Sequence, residues 1–173
     1  MTYSIRPLQS DGFAAAYELA WDTFTVSLSE HYTAEGRESF HSFLYSGDIE
    51  DMYMTGNFVM YGCFSEDDLI GVGGLMKNCH ISLLFVAPEY QRRGIGRLLA
   101  EKMISAAASA GCDSVTLNAA PDAVGFYKAI GFEETDMERI SDGILYIPMK
   151  YHLQKKHGLF GFLRSFGQCS GTD

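Results

Sequence analysis

The chain is poor in residues that staple or stiffen a small fold: among 173 residues there are four Cys, four Pro and one Trp. Cys63, Cys79, Cys112 and Cys169 are widely separated and make no CxxC pair, so neither a disulfide scaffold nor a compact zinc site is indicated, and buried thiols are expected. No apolar run reaches the roughly 20 residues of a membrane span, and residues 1–11 lack the apolar core of a secretion signal. A cytoplasmic protein with no membrane partner is expected. Basic residues are scarce too, 13 Lys and Arg against 22 Asp and Glu, for a net charge of -9. That balance argues against broad nucleic-acid binding, which calls for a dominant basic face.

What is present is a core. Hydrophobic residues make up 47%, with twelve Phe and ten Tyr, which argues against disorder. The length suits a single domain, placed at residues 1–150, with 151–173 as a C-terminal packing or interface extension. Tyr3 to Pro7 reads as a strand, Phe13 to Phe24 as an Ala-rich helix, and Thr33 to Leu44 as a second helix. Asn57 to Phe64 and Leu69 to Met76 form a hairpin about a polar turn at Ser65–Asp68. The acidic residues Asp48, Glu50 and Asp51 read as a solvated loop. Strand, helix, strand, helix and strand then follow: Cys79–Val86, a helix to about Ala110, Val115–Asn118, Ala123–Ile130 and Gly143–Met149. Hairpins followed by crossovers predict an α/β fold of mixed α+β topology, a central mixed sheet with flanking helices.

The run Gln91-Arg92-Arg93-Gly94-Ile95-Gly96-Arg97 joins a strand to a helix. A glycine turn at a helix start leaves backbone N–H groups free, and the local dipole favours anions, so the turn suits a polyphosphate. Arg92, Arg93 and Arg97 add positive side chains there. The pattern is neither GxGxxG nor a P-loop, which lowers both nucleotide readings.

This run resembles the Q/R-x-x-G-x-G/A segment of the GCN5-related N-acetyltransferase superfamily. His80 to Pro88 is similar to that family's splayed strand, and Asn118 to Phe132 to its second conserved region. The resemblance implies acetyl-CoA as cosubstrate and direct acetyl transfer to a primary amine, on a small molecule first and a peptide or protein amine second. It implies that the backbone of Arg92, Arg93, Gly94, Ile95, Gly96 and Arg97 holds the pyrophosphate, with Gln91 at the loop entry. Backbone groups of Leu84, Phe85 and Val86 would take the pantetheine arm and the thioester carbonyl.

Tyr127 matches the tyrosine that protonates or hydrogen-bonds the departing sulfur, and a phenol of ordinary pKa about 10 stays a donor at neutral pH. Phe126 is read as filling the adjacent core position. His80 occupies the place of a glutamate base in histone-acetylating relatives; it either accepts the amine proton or hydrogen-bonds within the sheet. Strand alternation puts His80, Ser82, Leu84 and Val86 on one face. Asn118 either binds pantetheine or caps the next turn; the more usual asparagine position, seven residues before the tyrosine, holds Ala120. No metal is expected.

Trp21, Phe24, His31, Tyr32 and Glu35 are candidates for an acceptor pocket, with Trp21 and Phe24 leaning toward core packing. A homodimer stays open. So do a non-catalytic acetyl-CoA-binding module and a protein-interaction scaffold on the same fold.

Overall fold

The computed structural model describes residues 2–27 and 32–154. His31 and most of the proposed extension, 155–173, lie outside them. Strands β1 (Tyr3–Pro7), β2 (Phe58–Ser65), β3 (Asp68–Met76), β4 (His80–Val86), β5 (Ser114–Ala119), β6 (Glu133–Glu134), β7 (Arg139–Ser141) and β8 (Ile144–His152) are joined by helices α1 (Phe13–Ser27), α2 (Ala34–Tyr45), α3 (Asp48–Met54), α4 (Ile95–Ser109) and α5 (Val124–Ile130). The sheet order is β1-β2-β3-β4-β5-β8-β6, with β7 on β8. All neighbours are antiparallel except β4 and β5, which are parallel. This is the expected mixed sheet flanked by helices.

The sheet buries two apolar faces. Ile95, Leu99 and Met103 of α4 pack with Ile81, Val115, Leu117 and Tyr127 on one side. Phe13, Ala16 and Ala20 of α1 join Leu44 of α2, Ile49 of α3 and Leu83 on the other. Gly71 and Gly73 of β3 let α4 lie close, since a Cβ at either would meet Leu99 or Met103.

Thr33 caps α2 as its position predicts, its hydroxyl accepting from the Gly36 N–H at 3.1 Å. Helix α3 corrects the loop reading of Asp48, Glu50 and Asp51. All three carboxylates occupy its first turn, where they complement the helix dipole, while Ile49 is fully buried.

The thiol expectation is corrected as well. Cys79 and Cys112 form a disulfide with Cα atoms 6.5 Å apart, and Cys63 is a buried free thiol; Cys169 lies outside the described residues. The bridge closes 33 residues, tying the entrance of β4 to the exit of α4. Loop entropy for that length predicts that Cys112→Ser, or reduction by dithiothreitol, lowers the unfolding free energy by about 3–4 kcal/mol. A guanidinium midpoint unchanged by reductant would refute this.

Candidate active site

Strands β4 and β5 pair only where β4 begins, against the middle of β5, His80 with Thr116 and Ile81 with Leu117. Beyond Ile81 they diverge, while β4 keeps its register with β3 from Leu83 to Val86. The divergence opens a cavity of ≈ 410 Å³ bordered by Leu83, Leu84 and Phe85 on one strand and Leu117 and Asn118 on the other. The β4 backbone edge that faces the gap therefore lacks a strand partner.

A bulge on β4 re-aims the strand. Gly74 pairs with Leu83 and Leu75 with Ile81, so Ser82 has no partner. Ile81 belongs to the α4-side core and Leu83 to the α1-side core, although two residues apart. Strict alternation is thereby corrected: Leu84 and Val86 pack against the α4 side, whereas His80 precedes the switch. The register that reveals this involves β3, so a one-strand pattern could not show it.

His80 lines the cavity, and its Nδ1 lies 2.9 Å from the Thr116 Oγ1. Burial lowers the imidazole pKa from the ordinary 6.5, favouring the neutral ring. If Nδ1 carries the hydrogen and donates to Thr116, Nε2 is left as an acceptor. Thr116 was not among the sequence candidates; its role depends on a parallel pairing across the whole α4 crossover.

Tyr127 lines the same cavity from α5. It is 9% exposed whereas Phe126 is 38% exposed, reversing the expected division between them. Phe126 instead rests over Gly96, where an added Cβ would lie 3.2 Å from the ring. Burial raises the Tyr127 phenol well above its usual range, with nearby Tyr32 adding to the shift, so the hydroxyl stays protonated at neutral pH.

The glycine loop leaves β4 through a 3₁₀ turn at Pro88–Tyr90. Gln91 donates from Nε2 to the Val86 carbonyl at 3.0 Å, fastening the loop to the strand end. Arg92 and Gly94 take positive φ, 61° and 83°, and Gly94 caps α4 without a side-chain hydrogen bond. The first helical bond runs from the Leu98 N–H to the Gly94 carbonyl. The N–H groups of Ile95, Gly96 and Arg97 precede it and have no intrahelical acceptor. The Ile95 side chain is buried in the core. Arg93 lies over Tyr90 with its guanidinium 5.3 Å from the ring centroid, and Arg97 pairs with Glu101 at 2.8 Å.

Side chains from α1, the segment before α2, α2 and the β7–β8 hairpin complete the cavity, among them Phe24, Tyr32, Phe40, Asp142 and Tyr146. Trp21 stacks behind them on Phe24 and Phe40. Glu35 is exposed and does not line the cavity. Phe40 and the hairpin residues were not among the sequence candidates, and Phe85 was one for its backbone alone, because tertiary packing, not a local motif, brings these side chains together. Among the described residues there is no group of His, Cys, Asp or Glu able to hold a metal, and no helix long and apolar enough to cross a membrane.

A family model described as "Acetyltransferase (GNAT) domain" matches residues 28–153. The chain belongs to the GNAT acetyltransferase family. No curated protein matches this GNAT chain. Among solved structures, a GCN5-related N-acetyltransferase from Rhodopseudomonas palustris is similar at 20% identity and TM-score 0.74, covering 88% of this chain and 97% of the other. The PaiA N-acetyltransferase of Thermoplasma acidophilum, solved with coenzyme A, gives 20% identity and TM-score 0.74 over 88% of this chain and 100% of its own. YncA of Salmonella typhimurium, solved with acetyl-CoA, gives 14% and 0.66 over 90% and 96%. At these identities the likeness establishes a shared fold.

The GNAT chain's own geometry fits acetyl-CoA. Gly94 provides a positive-φ turn, and at Gly96 a side chain would crowd the loop against Phe126. Free N–H groups at the start of a 15-residue helix suit phosphate oxygens, and the strand gap suits an extended amide-bearing arm.

Proposed function

We propose that this protein is an acetyl-CoA-dependent N-acetyltransferase acting directly on the primary amine of a small molecule. The observation that carries the reading is the opening between β4 and β5, lined by both His80 and Tyr127. Acetyl-CoA, when bound, supplies an acetyl group activated as a thioester. The amides of Ile95, Gly96 and Arg97 hold its phosphates, and the unpaired edge of β4 at Leu84–Val86 orients its arm. Arg92 and Arg93 add positive charge, with Asn118 at the opposite side of the gap.

Direct transfer forms a C–N bond and breaks a C–S bond, leaving two protons to be managed. His80 takes the proton that the acceptor ammonium must lose before attack; the second proton, shed by the nitrogen after attack, restores the Tyr127 phenol as its hydroxyl passes a proton to the departing sulfur, so coenzyme A leaves as the thiol. Cys63, the free thiol among the described residues, is buried in the core and does not line the cavity, which favours direct transfer over an acetyl-cysteine.

A turnover screen with acetyl-CoA and separated amine and peptide acceptors tests the proposal. Thiol release that requires an amine, together with acetylated product by mass, is the expected outcome. Tight acetyl-CoA binding with no turnover on any acceptor would mark a non-catalytic binding module.

The His80 role carries its own pH signature. Its pKa is depressed in the fold, so the neutral base predominates at pH 7 and is lost as pH falls through a midpoint below 6.5. In kcat/KM the acceptor ammonium contributes a slope over the same range, so the diagnostic is the additional bend in the native enzyme. H80Q is expected to lose that bend and roughly 10²-fold in activity. Stability follows the same sign: the contribution is present above the unfolded-state value of about 6.5 and declines as pH falls through the folded pKa. An identical acid limb in H80Q would remove His80 from proton transfer.

A further inference from the structure

We propose that the acceptor is an arylalkyl amine that carries no carboxylate or phosphate; this assignment rests on the acetyl-transfer reading of the cavity. The acceptor side is walled by a continuous aromatic array. Phe24 lies 4.5 Å from Phe40 and 4.8 Å from Tyr32 between ring centroids, and Phe40 lies 5.5 Å from Phe85. These rings come from α1, the segment before α2, α2 itself and β4, so the wall belongs to the fold rather than to one loop. An aromatic body gains both burial and ring–ring contact against it, and an approaching ammonium is attracted to ring faces.

Charge at the cavity discriminates further. Among the described residues that line it there is no Lys or Arg, and Asp142 is the one carboxylate. An acceptor carboxylate would thus lose water without meeting a cation, while an ammonium meets a favourable rim. Asp142 is fixed in place through its backbone. Ser39 donates to its carbonyl at 3.0 Å, Thr33 donates to the Gly143 carbonyl at 3.2 Å, and the Ser141 hydroxyl reaches the Asp142 carboxylate at 3.0 Å. A Cβ at Gly36 would collide with the Gly143 carbonyl oxygen, so the absence of a side chain there lets the β7–β8 turn rest directly on α2.

Size points the same way. The cavity's ≈ 410 Å³ is near the low end for ligand pockets, about 300–1,000 Å³, and it must also admit the acetyl end of the cosubstrate. One small acceptor fits that allowance better than a folded lysine-bearing surface.

Trp21 provides a readout independent of turnover. It is the chain's single tryptophan, stacked on Phe24 at 5.6 Å and on Phe40 at 6.3 Å. Its emission is followed while 2-phenylethylamine, phenylalanine or ethanolamine is titrated into the full chain with coenzyme A present. Phenylethylamine should bind at least about 10-fold more tightly than ethanolamine, the scale of one buried aromatic ring, and at least about 10-fold more tightly than phenylalanine, whose carboxylate would lose water without meeting a cation. Phe40→Ala should weaken it by about 10-fold, and Phe40→Leu, which keeps an apolar filling, by less; unchanged thermal unfolding separates this from misfolding. Equal or tighter binding of phenylalanine or ethanolamine, or no saturable response to phenylethylamine, overturns the assignment. Turnover separates the two readings. Phenylethylamine bound, with neither it nor any other amine acetylated, would sustain an arylalkyl amine as the cavity's ligand and overturn acetyl transfer, whereas preferential acetylation of ethanolamine would uphold acetyl transfer and overturn the arylalkyl assignment.

Discussion

Replacing Tyr127 with phenylalanine is expected to lower kcat by about 100-fold while leaving acetyl-CoA affinity within about twofold, the pattern of a lost transition-state proton donor. The expectation follows from burial. Tyr127 is 9% exposed, and removal from water raises its phenol well above the ordinary range near 10, with Tyr32 reinforcing the shift. A phenol so placed keeps its proton at every working pH. Under the proposed mechanism it is suited to be a donor to sulfur and not a base for the amine.

The ring itself packs 5.6 Å from Phe132 between centroids, and phenylalanine preserves that contact. Stability should consequently change far less than kcat. Single-turnover measurement isolates chemistry from product release and decides the matter. If kcat for the chemical step is unchanged in Y127F, the hydroxyl has no part in sulfur departure and Tyr127 is a packing residue alone.

The parts of this site legible from sequence are those whose geometry is local. Gln91 to Arg97 specifies a glycine turn and a helix start within seven residues, and Gly111 and Gly131 end α4 and α5 with positive φ. The acidic segment at Asp48 was misread because charge describes a solvated loop and a helix first turn equally well; buried Ile49 decides between them only in the fold. Cys79 and Cys112 meet because β4 carries the chain away and α4 brings it back over 33 residues, a return that spacing alone does not convey.

The Ser82 bulge and the exchange between Phe126 and Tyr127 have a related cause. Each is settled by a neighbour distant in sequence: β3 for the bulge, and the bare surface of Gly96 for Phe126. The aromatic wall is the extreme case. Phe24, Phe40 and Phe85 belong to three elements and become one surface only after α1 and α2 pack on the sheet. The proposed phosphate loop is thus written in a contiguous motif, while the aromatic wall is written in tertiary structure.

Gly94→Val tests the cosubstrate side, and acetyl-CoA affinity is expected to fall by about 30-fold. Gly94 takes φ 83°, ψ 0° at the cap of α4, a conformation that costs an L-residue roughly 1–2 kcal/mol and a β-branched one more. Valine relieves that strain by rotating the adjoining peptides, and the N–H groups of Ile95 and Gly96 then cease to converge. Loss of one charge-assisted hydrogen bond, about 1.5–3 kcal/mol, corresponds to roughly 10- to 150-fold in binding. Strain alone would lower stability without touching affinity, so a matched substitution is needed. Gly47 supplies it: it caps α3 with φ 92°, ψ -5°, and a Cβ there, as at Gly94, meets nothing within 4 Å. G47V and G94V should therefore lose comparable thermal stability, while calorimetric titration finds weakened acetyl-CoA binding only in G94V. Equal affinity in the two variants would show that the turn before α4 does not hold the phosphates, whatever its likeness to an anion cradle.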